Sequence, residues 1–383
     1  MKKITKKLFI SMFILICIIL NDDVFYAAEV ACYQVSSAGN STSYYIRNTG
    51  GFDYNCVKTY ANGNKVTRKF RYYLSGEDYT TLPIPGLYNT NVLGNDCKTM
   101  VPQGICQMGE YTIVSAYDYE GKENSVLYAI NSKRKLVATI VLPYKVHAGG
   151  VIFDGHSVWV CNGKRNYGRT SNVKDSTFVY YVTKKQIITA INLCEGKKSV
   201  IIKGIEKQKY DLVDFDAAYC TFYENILWFG TFNSKETGIA NAYTVSYSGD
   251  VPKLKKIGDM EMPRATQGMT FYRYNNKIYL IISASYKRQN GAEFENRLIV
   301  YEPIDYDRLN NQGLSWRDYH KGNRTKDITI PNMSENIHIS SSSMYLIFES
   351  GAYEYSHDIN NCCPVAARLD SICKLDFKKI AID

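Results

Sequence analysis

A short pattern recurs five times along this chain and constrains its fold more than any other feature. In each copy a small or polar residue opens an apolar, aromatic run, and a second run follows after a tight turn. The openings stand at Gln103, Gly149, Ala218, Gln267 and Glu335, at intervals of 46, 69, 49 and 68 residues. Self-similarity with a period of about 40–50 residues indicates an array of equivalent units. The two long intervals require insertions, and polar stretches at 164–176 and 306–326 can supply them.

Each unit predicts three or four short strands. The runs are rich in Val, Ile and Tyr, of which the chain has 33, and Gly, Asn and Lys separate them. This composition is typical of strands. The second run is apolar throughout, as at 278–282, which indicates a strand covered on both faces. The outer runs show more alternation of apolar and polar residues. A four-stranded unit with a buried interior and a wetter edge is typical of a propeller blade.

We therefore predict an all-β chain whose residues 101–383 form a single β-propeller of about five four-stranded blades. A sixth blade within residues 29–100 is the alternative. The fifth unit has only three runs and ends near Phe377. Because an unpaired edge invites association with other chains, we expect a strand from the N-terminal segment, for example 66–74, to complete and close it.

Residues 1–28 predict a secretory signal peptide. Four lysines precede an uncharged apolar run at 8–20, which is too short to span a bilayer as a helix, and cleavage after Ala28 is expected. The mature protein is predicted to be secreted or associated with the cell surface, without a stable membrane span. The alternative is an uncleaved N-terminal anchor.

The charge balance bears on partners. The chain carries a net charge of +9, which falls to +7 without residues 1–28. A basic exported protein is attracted to anionic surfaces, so an anionic polysaccharide or another cell-surface component is the expected partner. The alternative is an ordinary solvated basic face. Nucleic acid is not expected, because the basic residues are scattered. We expect a monomer.

Cysteine usage divides into two groups. An even number, ten, remains after residues 1–28, which permits disulfides in an exported chain. Four lie within apolar runs and are expected to be buried thiols: Cys106, Cys161, Cys194 and Cys220. Six lie in less regular stretches and are the candidates for disulfides: Cys32, Cys56, Cys97, Cys362, Cys363 and Cys373. Neither group has the spacing of a zinc site, so no structural metal is expected.

Several of these stretches resemble a known group of proteins. The tripeptides Gln-Gly-Ile at 103–105 and Gln-Gly-Met at 267–269, the strand at 125–131, and the stretch 147–160 are similar to the secreted bacterial propellers of the YVTN/NHL/SMP-30-like type. The resemblance covers about 102–377 as a repeat pattern. It implies five to seven blades and a ligand site near the central channel. Activities in that group range from lactone hydrolysis and polysaccharide lysis to binding. Its metal-ligand set does not map onto this sequence, so no catalytic residue, metal or cofactor is carried over.

The propeller geometry itself predicts where a ligand site lies. The innermost strand of each blade starts at one mouth of the central channel, so the opening residues approach the axis. Two further polar residues lie two positions before an opening. The predicted ligand-binding residues are Gln103, His147, Asp216, Gln267 and Glu335.

Three hypotheses remain open for this mouth. The first is non-catalytic binding of a ligand or a protein or cell-wall partner. The second is a lyase or hydrolase of a polysaccharide or lactone, with Glu335 or Asp216 as base and His147 as acid. The third is an adhesion or scaffold module whose channel has no ligand-binding or catalytic role. The five side chains could also serve only to satisfy one another's hydrogen bonds.

Two other residues carry expectations. Glu349 follows four apolar residues at the end of the second run of the fifth unit, and it either faces the channel or marks the point where the strand reaches solvent. His338 lies within an apolar run and is expected to be a hydrogen-bonded core residue. No nucleophile elbow, phosphate-binding glycine loop or H-E-x-x-H motif is present in the sequence.

Overall fold

The computed structural model describes residues 70, 72–75, 82–87, 89–163, 178–194, 199–202, 204–286, 296–301, 324–340, 343–356, 369 and 371–382. These residues form five blade-like sheets and one small hairpin. The predicted all-β, five-bladed propeller is confirmed. The signal peptide and nearly all of the two predicted insertions lie outside the described residues.

The chain enters the propeller through three short strands, which are β1 (Leu82–Pro83), β2 (Thr90–Val92) and β3 (Asn95–Cys97). Blade one holds β4 (Met100–Met108), β5 (Tyr111–Asp118), β6 (Val126–Ile130) and β7 (Leu136–Val141). Blade two holds β8 (Val151–Phe153), β9 (Ser157–Cys161), β10 (Phe178–Thr183) and, further on, β12 (Lys209–Asp211). Strand β11 (Ser199–Ile201) lies between them in sequence.

The remaining blades follow in chain order. Blade three holds β13 (Tyr219–Tyr223), β14 (Ile226–Gly230), β15 (Gly238–Ser248) and β16 (Val251–Met262). Blade four holds β17 (Thr266–Tyr274), β18 (Lys277–Ala284), β19 (Arg297–Tyr301) and β20 (Arg324–Thr329). Blade five holds β21 (Ser334–Ser340), β22 (Ser343–Phe348) and β23 (Ser371–Leu375), and β1 completes it.

The closing strand is not the stretch proposed from the sequence. Of the described residues within 66–74, only Leu74 pairs, through an isolated bridge to Leu375. The fourth strand of blade five is Leu82–Pro83, which runs antiparallel to Ser371–Ile372. Proline suits this outermost position because it lacks the N–H that an inner strand would need. Closure by an N-terminal strand is confirmed, with a different segment.

Strand β11 joins blade one, although in the sequence it lies between two strands of blade two. Ser199–Ile201 pairs parallel to Thr139–Val141 as a fifth strand of blade one. Lys209–Asp211 takes the outer place in blade two. A parallel pairing requires a crossover, and helix α1 (Lys184–Cys194) carries the chain across to the edge of blade one.

Helix α1 was not predicted, although its signals are local. Thr183 Oγ1 accepts a hydrogen bond from the backbone N–H of Gln186, and Gln186 Oε1 accepts one from the backbone N–H of Thr183, which is a capping box. Ile187, Ala190, Ile191 and Cys194 are buried at helical spacing. Two short helices, α2 (Tyr353–Ser356) and α3 (Phe377–Ala381), and a 3₁₀ turn at Ile205–Lys207 complete the described helices.

The core lies between the blades, and the second strands are its centre. Every residue of β9 and β14 is buried, and in β18 only Lys277 is exposed. Trp159 and Trp228 are fully buried in two of these strands. The prediction that the second run of each unit is covered on both faces is confirmed in these three blades.

The inner strands of neighbouring blades approach so closely that some positions require glycine. A Cβ atom on Gly150 would lie 2.7 Å from Tyr219 Cα, and one on Gly268 would lie 2.8 Å from the Ile337 backbone nitrogen. Both neighbours are backbone atoms and cannot rotate away. The glycines in the repeated openings therefore allow blade two to pack on blade three, and blade four on blade five.

The described cysteines are all buried. They are Cys97, Cys106, Cys161, Cys194, Cys220 and Cys373. The four cysteines that were expected to be buried are buried. Cys97 and Cys373, which were candidates for disulfides, are also buried, and each is part of an apolar core cluster. Disulfides among Cys32, Cys56, Cys362 and Cys363 stay a prediction, because these lie outside the described residues.

Candidate functional site

Three of the five openings carry a polar side chain, and in each the strand pairing is irregular. The register between the first two strands shifts between Pro102 and Ile105 in blade one. It shifts likewise between Thr266 and Gly268 in blade four, and between Ser334 and Ile337 in blade five. These shifts are the signature of β-bulges, which re-aim side chains next to functional sites. The bulged segments contain Gln103, Gln267 and Glu335.

The bulged side chains connect three blades at one mouth. Gln103 Nε2 donates to Glu349 Oε2 at 2.9 Å, which joins blade one to blade five. Gln267 Nε2 donates to Glu335 Oε1 at 3.2 Å, which joins blade four to blade five. Glu349 directly follows β22, which runs antiparallel to β21. It therefore lies at the same end of the blade as Glu335, which is near the start of β21. We call the set Gln103, Gln267, Glu335 and Glu349 the amide–carboxyl mouth.

The two carboxyl groups of the amide–carboxyl mouth have different environments. Glu335 is 3% exposed, whereas Glu349 is partly exposed. Burial raises the pKa of Glu335 well above its ordinary value of 4.5, and the charge of Glu349 raises it further. Both effects favour the protonated form of Glu335 beside the carboxyl group of Glu349. Tyr355 also donates from its hydroxyl to Glu349 Oε2 at 3.4 Å.

The sequence left open whether Glu349 faces the channel or marks the point where the strand reaches solvent, and the structure shows both. The backbone N–H of Glu349 donates to the Met333 carbonyl at 3.0 Å, while its carboxylate receives the hydrogen bond from Gln103 and retains contact with solvent. The sequence did not place it among the ligand-binding residues. A charge directly after four apolar residues was the available signal.

His147 and Asp216 lie on the side of the mouth formed by blades two and three. Both are partly exposed. The His147 ring packs on Tyr117 with ring centroids 4.8 Å apart. Gly163 lies beside His147 and donates its backbone N–H to the Ala217 carbonyl, next to Asp216, at 2.8 Å. The openings of these blades, Gly149 and Ala218, contribute no polar side chain.

His338 is buried as expected. Its Nε2 accepts a hydrogen bond from the Gln107 backbone N–H at 3.1 Å. Burial lowers its pKa to about 4, so the ring is neutral at neutral pH. It lies toward the other end of the inner strands from Glu335.

Two features are not found in the described part of the chain. No group of three or more His, Cys, Asp or Glu side chains there is arranged to hold a metal ion. No described helix combines the length and the apolar character needed to cross a membrane.

No protein-family model and no curated protein matches this chain. Among solved structures, it is similar to the exo-β-1,3-galactanase of Phanerochaete chrysosporium in its complex with β-1,3-galactotriose, at 13% identity and a TM-score of 0.42, over 78% of this chain. It is also similar to the GH32 β-fructofuranosidase of Bombyx mori in complex with sucrose, at 11% identity and a TM-score of 0.40, over 84% of this chain. The match spans 65% of the length of each of those chains.

Proposed function

We propose that this propeller binds a neutral, polyhydroxylated ligand, such as the end of a sugar chain, at the amide–carboxyl mouth. The observation that carries the proposal is the convergence of two amides and two carboxyl groups from three blades at one end of the channel. A sugar hydroxyl both donates and accepts hydrogen bonds, and amide and carboxyl groups together offer both roles. Glu349 and Gln267 are partly exposed and can meet the ligand.

Charge determines the class of ligand. The carboxylate of Glu349 at this mouth disfavours an anionic ligand close to it. The anionic polysaccharide or cell-surface partner expected from the net charge is therefore proposed to contact the basic outer surface. We also propose that the protein is exported through the predicted signal peptide at residues 1–28.

A second candidate function is acid–base cleavage of a glycosidic bond at the same mouth. The pair formed by Glu335 and Glu349 favours it, because burial and the charge of Glu349 raise the pKa of Glu335 and so favour a protonated carboxyl beside a second carboxyl, as general acid and base require. A protonated Glu335 suits the acid rather than the base considered from the sequence. Glu349 would then be the base.

Isothermal titration calorimetry with neutral oligosaccharides of glucose, galactose, xylose and fructose tests the binding proposal. Glu349→Gln and Gln267→Ala are each expected to weaken binding about tenfold, as for a lost hydrogen bond to a charged or buried partner. Glu110→Gln replaces an exposed glutamate in the turn between β4 and β5, at the other end of the strands, and is the matched control with unchanged affinity. Binding that is unaffected by both mouth variants would refute the proposed site.

Reducing-sugar release from the same oligosaccharides separates the two functions. Hydrolysis predicts release by the wild type and its loss in both Glu335→Gln and Glu349→Gln. Binding without release, or release that survives both variants, contradicts the acid–base role of this pair.

A further inference from the structure

A cavity lies at the other end of the inner strands from the amide–carboxyl mouth. It has a volume of about 270 Å³ and is lined by the last residues of β13, the later residues of β17 and the end of β21. Thr270 lies three residues beyond Gln267, and His338 lies three residues beyond Glu335, which at strand spacing is roughly 10 Å along the channel. We call this cavity, with Thr221, Thr270 and His338 as its polar lining, the far pocket.

The imidazole of His338 supplies a directed donor in the far pocket. His338 is 9% exposed and lines the cavity. A backbone N–H can only donate, so the bond from Gln107 fixes Nε2 as the acceptor and leaves the proton of the neutral ring on Nδ1. Among the described residues the Nδ1–H of His338 has no hydrogen-bond partner. This donor borders the cavity, so a ligand there can accept a hydrogen bond from it.

Two hydroxyl groups offer further hydrogen bonds. Thr221 and Thr270 are 3% and 4% exposed and line the same cavity. Neither hydroxyl makes a hydrogen bond within the part of the chain that the structure describes. Each can donate or accept, so together with His338 they match a ligand that carries several hydroxyls.

The walls of the far pocket are aromatic and its rim carries balanced charge. Phe222, Tyr223 and Tyr272 are partly exposed and line it. Arg273, at the rim, forms an ion pair with Glu224, so neither an anion nor a cation is favoured. Aromatic faces with a few polar groups suit a small neutral ring that has both C–H faces and hydroxyls.

We propose that the far pocket is a second ligand site, separate from the amide–carboxyl mouth, that holds a single neutral sugar ring. Its size supports one ring rather than a chain, because about 270 Å³ lies just below the usual range of about 300–1,000 Å³ for small-molecule sites. The inference does not depend on the proposed function, since no residue of the amide–carboxyl mouth lines this pocket.

Saturation-transfer NMR and calorimetry with D-glucose and D-galactose test this site on the full chain. Thr270→Val removes one hydroxyl at nearly constant shape, and Ile339→Trp fills the cavity from a partly exposed position. Each is expected to weaken monosaccharide binding about tenfold or more. Thr244→Val, at an exposed position of β15 outside the lining of this pocket, is the matched control and leaves monosaccharide binding unchanged. Thermal unfolding of each variant verifies that it is folded.

A measurement on the wild type keeps the test independent of variants that fail to fold. Addition of the sugar is expected to shift the His338 Nδ1–H resonance, which is assigned by its absence in His338→Gln. No transfer from either sugar at millimolar concentration overturns the proposal. Binding that is lost in Glu349→Gln and kept in Ile339→Trp also overturns it, because the sugar then occupies the amide–carboxyl mouth.

Discussion

Gln103 in the first blade donates a hydrogen bond of 2.9 Å to Glu349 in the fifth, across 246 residues of sequence. This contact closes the ring of blades with side chains, as β1 closes it with backbone pairing. The closure and the candidate site therefore share the same residues. A change in this pair should affect both stability and ligand binding.

A double-mutant cycle measures the closure contact. Gln103→Ala is expected to lower the free energy of unfolding by about 1–2 kcal/mol, because it removes a hydrogen bond to a charged, partly buried acceptor. Gln103→Ala, Glu349→Ala and the double variant, unfolded in urea, should give a coupling energy of about 1 kcal/mol. Strict additivity of the two single effects would show that the contact contributes nothing.

The raised pKa of Glu335 predicts a variant whose benefit depends on pH. The folded protein retains the proton of Glu335 above pH 4.5, where the unfolded chain releases it, so stability falls as the pH rises from 4.5 through the folded-state pKa. Glu335→Gln keeps an oxygen for Gln267 and carries no charge. It should stabilise the protein more at pH 8 than at pH 4, as measured by urea unfolding. An equal effect at both pH values would contradict the raised pKa.

His338 predicts a pH dependence of opposite sign. Its pKa is about 4 in the folded protein against an ordinary value of 6.5, so its contribution to stability is complete above pH 6.5 and is lost as the pH falls toward 4. The loss amounts to about 3 kcal/mol. His338→Gln keeps an acceptor for Gln107 and does not titrate.

The difference between wild type and His338→Gln isolates this histidine from Glu335, which titrates in an overlapping range. Urea unfolding at several pH values between 4 and 7 measures the free energy of unfolding of both proteins. As the pH falls to 4, the wild type should lose about 3 kcal/mol of this free energy relative to His338→Gln. Parallel pH profiles for the two proteins would show that His338 is not held neutral by burial.

The capping box of α1 predicts a local effect. Thr183→Ala removes the hydroxyl that accepts from the Gln186 N–H and should cost about 1 kcal/mol. Thr189→Ala is the matched control, because its hydroxyl bonds only to the Lys185 carbonyl within the helix and alanine has the higher helix propensity. Thermal unfolding should show a lower midpoint for Thr183→Ala alone. Equal midpoints for both variants would contradict the cap.

Part of the candidate site could be predicted from the sequence. The openings identified Gln103, Gln267 and Glu335, because a repeated unit places equivalent residues at equivalent positions around one axis. The sequence could not identify their partners. Glu349 belongs to the second strand of its unit, and its bond to Gln103 exists only because the first and last blades meet when the ring closes.

The sequence by itself determined that strands form, which of them are buried, and that they are grouped in five units. Apolar periodicity and turn residues act over a few neighbours, so they can be recognised without the fold. The tertiary structure alone decided which edge each outer strand joins. Ser199–Ile201 pairs with blade one and Leu82–Pro83 completes blade five, because edge pairing depends on the place to which the chain returns in space.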